Sequence, residues 1–432
     1  MTKNLFRHTT PAETEILVQP IPAMKSCSVG FWVRHGSCRE GASQEGLAHF
    51  LEHAVFKGTE KYPKPETIAE ASDHLGGHID AFTGKEAACF SGKVLRESLP
   101  GLVDLLSDLV TAPLFDADEL ARERDVVMEE INQSQDQPDD WASELFYLNF
   151  WEGCPLAHSI LGRPDQVCRY TAADLRDFFF ETYRPKNLLI VAAGDIDPGG
   201  FVSLVEHSLE GRFGRAGKAP QNHSGHQTHS PPNHPQAFIK NVNRKDLNQA
   251  SLIIGFPAPG HRHPDRVASG ILCHIVGGGM SSRLFIELRE KRALCYQVGS
   301  YASPYSDTGA IQIAAACASG KARELVARAM AECRRLAAEG PTQAELDRVK
   351  LQLRTALVFS QESTASRMFM LAHQAMHMDS ILDMDSQLAE IDAVTLEQLR
   401  RVAGEILVPE KAGIVALGVK KAGGIKVSDL HL

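Results

Sequence analysis

Residues 49–53 read HFLEH. On a helix, positions 49, 52 and 53 fall within about 100° of arc. His49 and His53, one turn apart, can point both imidazoles at a single ion, with Glu52 beside them. A catalytic zinc asks for this: neutral nitrogen ligands at roughly 2.0–2.1 Å and one position left open for water. The order H-x-x-E-H mirrors H-E-x-x-H, and both mark zinc peptidases. The plain alternative is a surface helix that happens to carry two histidines. Apolar neighbours on the same stretch weigh against it, because two imidazoles and a carboxylate are costly to bury without a partner.

Such a centre needs a third protein ligand. The run ELARERDVVMEEINQ (119–133) has a helical pattern and offers Glu119, Glu123, Glu129 and Glu130. Glu123 and Glu130 are two turns apart and share a face. That face can present Glu130 to the metal and Glu123 to a ligand histidine as hydrogen-bond acceptor. Spacing alone leaves Glu129 open beside Glu130, and a solvated acidic helix is the alternative to both.

The positioning elements read as α+β. SCSVGFWVRHGS (26–37) alternates Val29, Phe31 and Val33 with Gly30, Trp32 and Arg34, a strand pattern. SQEGLAHFLEHAVFKG follows as a helix. HIDAFTGKEAACFSGKVL (78–95) gives two strands joined by a Gly-Lys turn, and LPGLVDLLSDLVTAP another helix. Strands and helices that do not strictly alternate favour mixed sheets packed with helices over a doubly wound parallel sheet.

The pattern occurs twice. DLRDFFFETYRPKNLLIVAAG (174–194) parallels EQLRRVAGEILVPEKAGIVALG (397–418), each an amphipathic helix, a Pro-containing turn and an apolar strand. ADELARERDVVMEEI (117–131) parallels QAELDRVKLQLRTAL (343–357) at nearly the same offset. The chain therefore divides into a metal-binding domain 1–213, a linker 214–236 and a homologous domain 237–432. The linker is rich in Gly, Pro, Ser and Asn and holds His223, His226, His229 and His234.

Composition narrows the class. The 432 residues are 43% hydrophobic and 23% charged with a net charge of −9, which suits a globular protein and argues against nucleic acid as a partner. No apolar run approaches the roughly 20 residues that span a bilayer. Nine cysteines without a C-x-x-C pair, and no secretion signal, place reduced thiols in a cytoplasmic protein.

GLAHFLEHAVFKGTEKYP strongly resembles the pitrilysin/insulinase family of zinc metallopeptidases. The resemblance implies zinc on His49, His53 and Glu130, with Glu52 as general base and Glu123 supporting a histidine. It continues at HIDAFTGKEAACF, where the family binds substrate along a strand edge. Those positions are Asp80, Ala81, Phe82 and Thr83. Asp80 stands where Asn is often found, and a carboxylate cannot donate. In the second half, GGGMSSRLFIELREKRALCYQVGS (277–300) lacks the G-K-[ST] ending of a phosphate loop. The helix SSRLFIELREKR follows a capping Ser, and the resemblance gives Arg289 and Tyr296 contacts with substrate or the tetrahedral intermediate. The family further implies a clamshell of two halves, peptide or unfolded protein substrates and a homodimer. The competing expectation is a non-catalytic scaffold subunit of the same fold.

Overall fold

The computed structural model describes residues 5–215, 237–419 and 424–430; the Gly/Pro/His-rich stretch expected as a linker lies, from residue 216 on, outside the described residues. Two mixed sheets, each with its helices, form two compact units.

The first unit holds a six-stranded sheet. Its strands are β1 (Phe6–Thr9), β2 (Glu15–Pro20), β3 (Ser26–Val33), β4 (His78–Thr83), β5 (Ala88–Leu95) and β6 (Leu188–Gly194), in the order β1-β2-β6-β3-β5-β4. Only β2 and β6 run parallel; the other pairs are antiparallel. The second sheet has β7 (Phe238–Val242), β8 (Gln249–Pro259), β9 (Cys295–Pro304), β10 (Thr308–Ala318) and β11 (Gly413–Leu417), in the order β7-β11-β8-β10-β9. Here β7 and β11 form the parallel pair. Leaving β1 aside, the two sheets have one topology.

The repeat extends to the punctuation of the chain. Helix Ala172–Thr182 opens on Thr171, whose hydroxyl accepts the Asp174 N–H; helix Leu396–Ile406 opens on Thr395, which accepts the Gln398 N–H. Such a cap satisfies a donor that the first helical turn leaves free. Each helix leads through a 3-10 turn into a buried strand, and Gly194 and Gly418 both follow with positive φ.

The units are not contiguous in sequence. Among the described residues the first comprises 5–132, 158–215 and 358–383, and the second takes in 133–157 along with the rest of the later half. Each half of the sequence thus gives one helix to the other half's sheet. Helix Thr364–His377 packs on β3 and β6, and helix Pro138–Phe150 packs on β8 and β11.

This exchange changes the reading of β3. Val29, Phe31 and Val33 enter the main core with Phe50, Leu51 and Leu106, as the alternation implies. Trp32 is buried as well, on the opposite face, packed with Leu189, Val191, Met368 and Leu371. Its ring meets Phe369 edge-on at 5.8 Å. The strand is apolar on both faces because the donated helix covers the second one. In the second unit Gly255 of β8 makes room for the donated helix, since a Cβ there would lie 2.2 Å from the Phe146 ring.

Candidate functional site

The motif helix spans Leu47–Val55, four residues later than the sequence pattern suggests. Gly46 has φ 91°, which only glycine adopts without strain, so residues 43–46 form a turn. That turn crosses a second glycine: a Cβ on Gly46 would sit 2.6 Å from the Gly162 Cα. Buried Glu40 then holds the start of the helix, its two oxygens accepting the N–H groups of Gly46 (2.9 Å) and Ala48 (2.7 Å). Phe50, Leu51, Ala54 and Val55 anchor the helix in the core. Full burial of a side chain such as Phe50 or Leu51 is worth about 1.5–3 kcal/mol.

The second helix, Ala117–Asp136, begins where Asp116 Oδ1 accepts the Asp118 and Glu119 N–H groups, both at 3.0 Å. Leu120, Val127 and Ile131 bury one stripe. Glu123 and Glu130 flank that stripe on the side of the motif helix.

His49 Nε2 and His53 Nε2 are each 3.5 Å from Glu130 Oε2, and the three ligand atoms lie within 4.8 Å of one another. Ligands at about 2.0–2.1 Å from one tetrahedral ion are about 3.3–3.4 Å apart, so the spacing suits an ion rather than direct hydrogen bonds. Glu129 is exposed and stands apart from this group. His53 Nδ1 donates to Glu123 Oε1 at 2.7 Å, which turns Nε2 toward Glu130. The other Glu123 oxygen takes Lys57 Nζ at 2.6 Å. His49 Nδ1 is buried with no hydrogen-bond partner. Two neutral-capable nitrogens and a carboxylate oxygen fit zinc's preferences, and Glu123 supplies the outer acceptor that orients a ligand imidazole.

The two histidines shift in opposite directions. Burial pushes His49 down to about 4, helped by charge on His53. For His53 burial acts downward but is outweighed by Glu123 and Glu130, which bring it up to about 9. Burial would raise Glu123, yet the bonds from His53 and Lys57 hold it below the usual carboxylate range. Glu52 moves the other way. Burial raises it, against the opposing pull of the Thr83 hydroxyl, which donates to Glu52 Oε2 at 2.6 Å.

Thr83 ends β4, the edge strand of the first sheet. Ile79 and Ala81 face the core, while His78, Asp80 and Phe82 are exposed. Asp80 Oδ1 accepts the N–H of its neighbour Ala81 at 3.0 Å. The carboxylate that cannot donate thus occupies a donor of its own strand. Phe82 lies 6.2 Å from Phe369 of the donated helix.

In the second unit, Arg289 and Tyr296 come together. The stretch Phe285–Glu290 is a π-helical turn rather than the expected α-helix, with the Lys291 N–H bonded to the Ile286 carbonyl. The Arg289 guanidinium lies 4.6 Å from the Phe285 ring centre and 4.9 Å from that of Tyr296. Tyr296 is the second residue of the edge strand β9 and is 79% exposed.

Glu40, Lys57 and the bond from Thr83 to Glu52 escape a reading of sequence alone. Lys57 had a signal, four residues beyond His53. Glu40 had none, because a loop carboxylate's target is a matter of tertiary path.

A family profile described as "Insulinase (Peptidase family M16)" matches residues 15–164, and one described as "Peptidase M16 inactive domain" matches residues 169–353. The chain is 35% identical over 414 residues to an uncharacterized zinc protease of Mycobacterium tuberculosis, covering 95% of this chain and 92% of that one. It is 32% identical to the uncharacterized zinc protease YmxG of Bacillus subtilis, over 94% and 96% of the two chains. Among solved structures, a protease from Helicobacter pylori shares the fold with a TM-score of 0.88 at 22% identity, covering 96% of this chain and 100% of that one. No described helix is long and apolar enough to cross a membrane.

Proposed function

Because this chain belongs to the insulinase (M16) family of peptidases and is a zinc metalloprotease, we propose that it is an endopeptidase for peptides and unfolded segments, with zinc held by His49, His53 and Glu130. The observation that carries this reading is the convergence of those three ligand atoms within 4.8 Å, with Glu52 next to His53 on the same helix. When bound, zinc supplies Lewis acidity that lowers the pKa of water to about 7 and polarises a carbonyl.

The chain's own residues supply the rest. Glu123 accepts the Nδ1–H of His53 and so commits Nε2 to the metal. Thr83 holds one oxygen of Glu52, and the other accepts the proton of the attacking water and later delivers it to the leaving amine. Burial raises the basicity of that carboxylate toward the working range of a general base. Substrate adds as a strand to the free edge of β4, reading backbone geometry; this favours extended peptides over folded proteins. Docking there requires Ala81 N–H to leave Asp80.

The reading extends, by family resemblance, to Arg289 and Tyr296 as contacts for substrate or oxyanion, to enclosure of substrate between the two halves, and to a cytoplasmic homodimer. Sedimentation that finds only monomer at micromolar concentration rejects the dimer. The test of the chemistry is Glu52→Gln with a quenched peptide. Zinc content stays at its wild-type level and kcat falls by about 10²–10⁴-fold, the range of general-base catalysis. Normal cleavage by Glu52→Gln overturns the assignment, and an intact chain that binds zinc nowhere overturns the metal reading.

A further inference from the structure

A second cluster of metal-ligating side chains lies in the first unit. Glu86 sits in the turn between β4 and β5, and His373 and His377 stand one helical turn apart at the end of the donated helix Thr364–His377. His377 Nδ1 is 3.4 Å from Glu86 Oε2, and the side chains are 12% and 14% exposed. The two imidazole centres are 5.1 Å apart with planes at 51°. The paired rings resemble those of the first centre, which are 4.6 Å apart at 65°, while there the carboxylate oxygen is 3.5 Å from each nitrogen and here it is placed against one. In both, two histidines spaced i, i+4 on a helix lie beside a glutamate from a different element, which in the second cluster stands against His377.

The donor set suits a borderline divalent ion. The turn that carries Glu86 is fixed from its far side, where the carbonyls of Gly84 and Lys85 accept the N–H groups of Ser37 and Cys38. The carboxylate is therefore presented from a rigid support. One difference separates the two clusters. Among the described residues only the first brings three ligand atoms within 4.8 Å of one another, so a side-chain rotation is needed for the second to close on an ion.

We propose that Glu86, His373 and His377 form a second site for a divalent transition ion, zinc foremost, which ties the donated helix to the β4–β5 turn. That turn follows directly on Thr83, which holds Glu52. Occupancy therefore fastens the strand end that orients the proposed general base. The site stands independently of the peptidase reading.

Zinc bound by the full chain after dialysis tests it. His49→Ala/His53→Ala removes the first centre and is expected to keep about one equivalent, with water completing a set of three protein ligands. Adding His377→Ala is expected to abolish it. Replacing His223, His226, His229 and His234 with serine in the same background is expected to leave it in place. Should His377→Ala fail to fold, Glu86→Gln in the turn serves instead, with zinc weakened about tenfold or more. The site is overturned if His49→Ala/His53→Ala binds no zinc, or if its zinc survives both His377→Ala and Glu86→Gln. Wild type and His49→Ala/His53→Ala binding equal amounts, lost with His377→Ala, supports this site while rejecting the first centre.

Discussion

The two units share a sheet topology and a set of capped helices, yet they finish the same construction differently. In the first, the connection between β3 and β4 carries His49 and His53, and the long helix Ala117–Asp136 brings Glu130 to them. In the second, the connection between β8 and β9 carries Arg283, and the long helix Gln343–Ser360 brings Glu345. Arg283 closes that contact completely: its Nε and Nη2 donate to the two Glu345 oxygens at 2.7 and 2.8 Å, and Nη2 also reaches the Gly340 carbonyl. Charge meets charge, and nothing remains for a ligand. The first unit instead turns two nitrogens and an oxygen toward one another, the oxygen 3.5 Å from each nitrogen, a spacing that suits an ion. One scaffold therefore serves as a strut where its polar groups satisfy one another and as a reactive centre where they do not.

The largest break in this comparison is Glu130→Gln, which loses zinc and all peptidase activity, while Glu129→Gln keeps both; metal analysis with a peptide assay decides, and the reverse result moves the ligand by one residue. Next is the donated helix of the second unit. Phe146→Ala empties the space under Gly255 and costs about 3–5 kcal/mol in denaturant unfolding. Arg283→Met strands Glu345 in a largely buried place and costs about 3 kcal/mol, with zinc content unchanged. A loss of zinc in Arg283→Met would show that the strut and the centre are not independent. Thr83→Val removes one hydrogen bond to the Glu52 carboxylate, worth about 1.5 kcal/mol or roughly tenfold in kcat/KM. With that support gone the carboxyl rises further, so the acid limb of the pH profile moves to higher pH.

The smallest effect is a stability slope with pH. Burial alone would raise Glu345, but Arg283 and the Thr342 N–H hold it down at about 2, against an ordinary value of 4.5. Its folded-state pKa is depressed, so its contribution is complete above pH 4.5 and is lost as pH falls toward about 2. Glu345→Gln removes that slope, and thermal melts between about pH 5 and 2 measure it.

Much of this was legible in the residues. The i, i+4 histidines and the seven-residue interval from Glu123 to Glu130 are local geometry, and helical periodicity carries them without tertiary information. The repeat shows for the same reason: Thr171 and Thr395, or Gly194 and Gly418, mark chain turns that recur at a common offset. The exchange of helices was not legible. Pro138–Phe150 and Thr364–His377 declare apolar faces, but an apolar face does not say which sheet it will cover. Trp32 was the clue: a large apolar side chain at an alternating position that should have faced water. The π-helical turn that holds Arg289 between two rings, and the capture of Ala81 N–H by Asp80, depend on backbone detail below the resolution of sequence patterns.

The crossed helices make each half an incomplete protein. A half produced alone would present a bare apolar sheet face, around Trp32, Leu189 and Val191 in one fragment and around Gly255 in the other. It would gather with a second copy of itself or with its missing sibling. Two identical ancestral chains trading arms in this manner form a swapped dimer, and joining them end to end yields one chain in which each half still carries the other's helix.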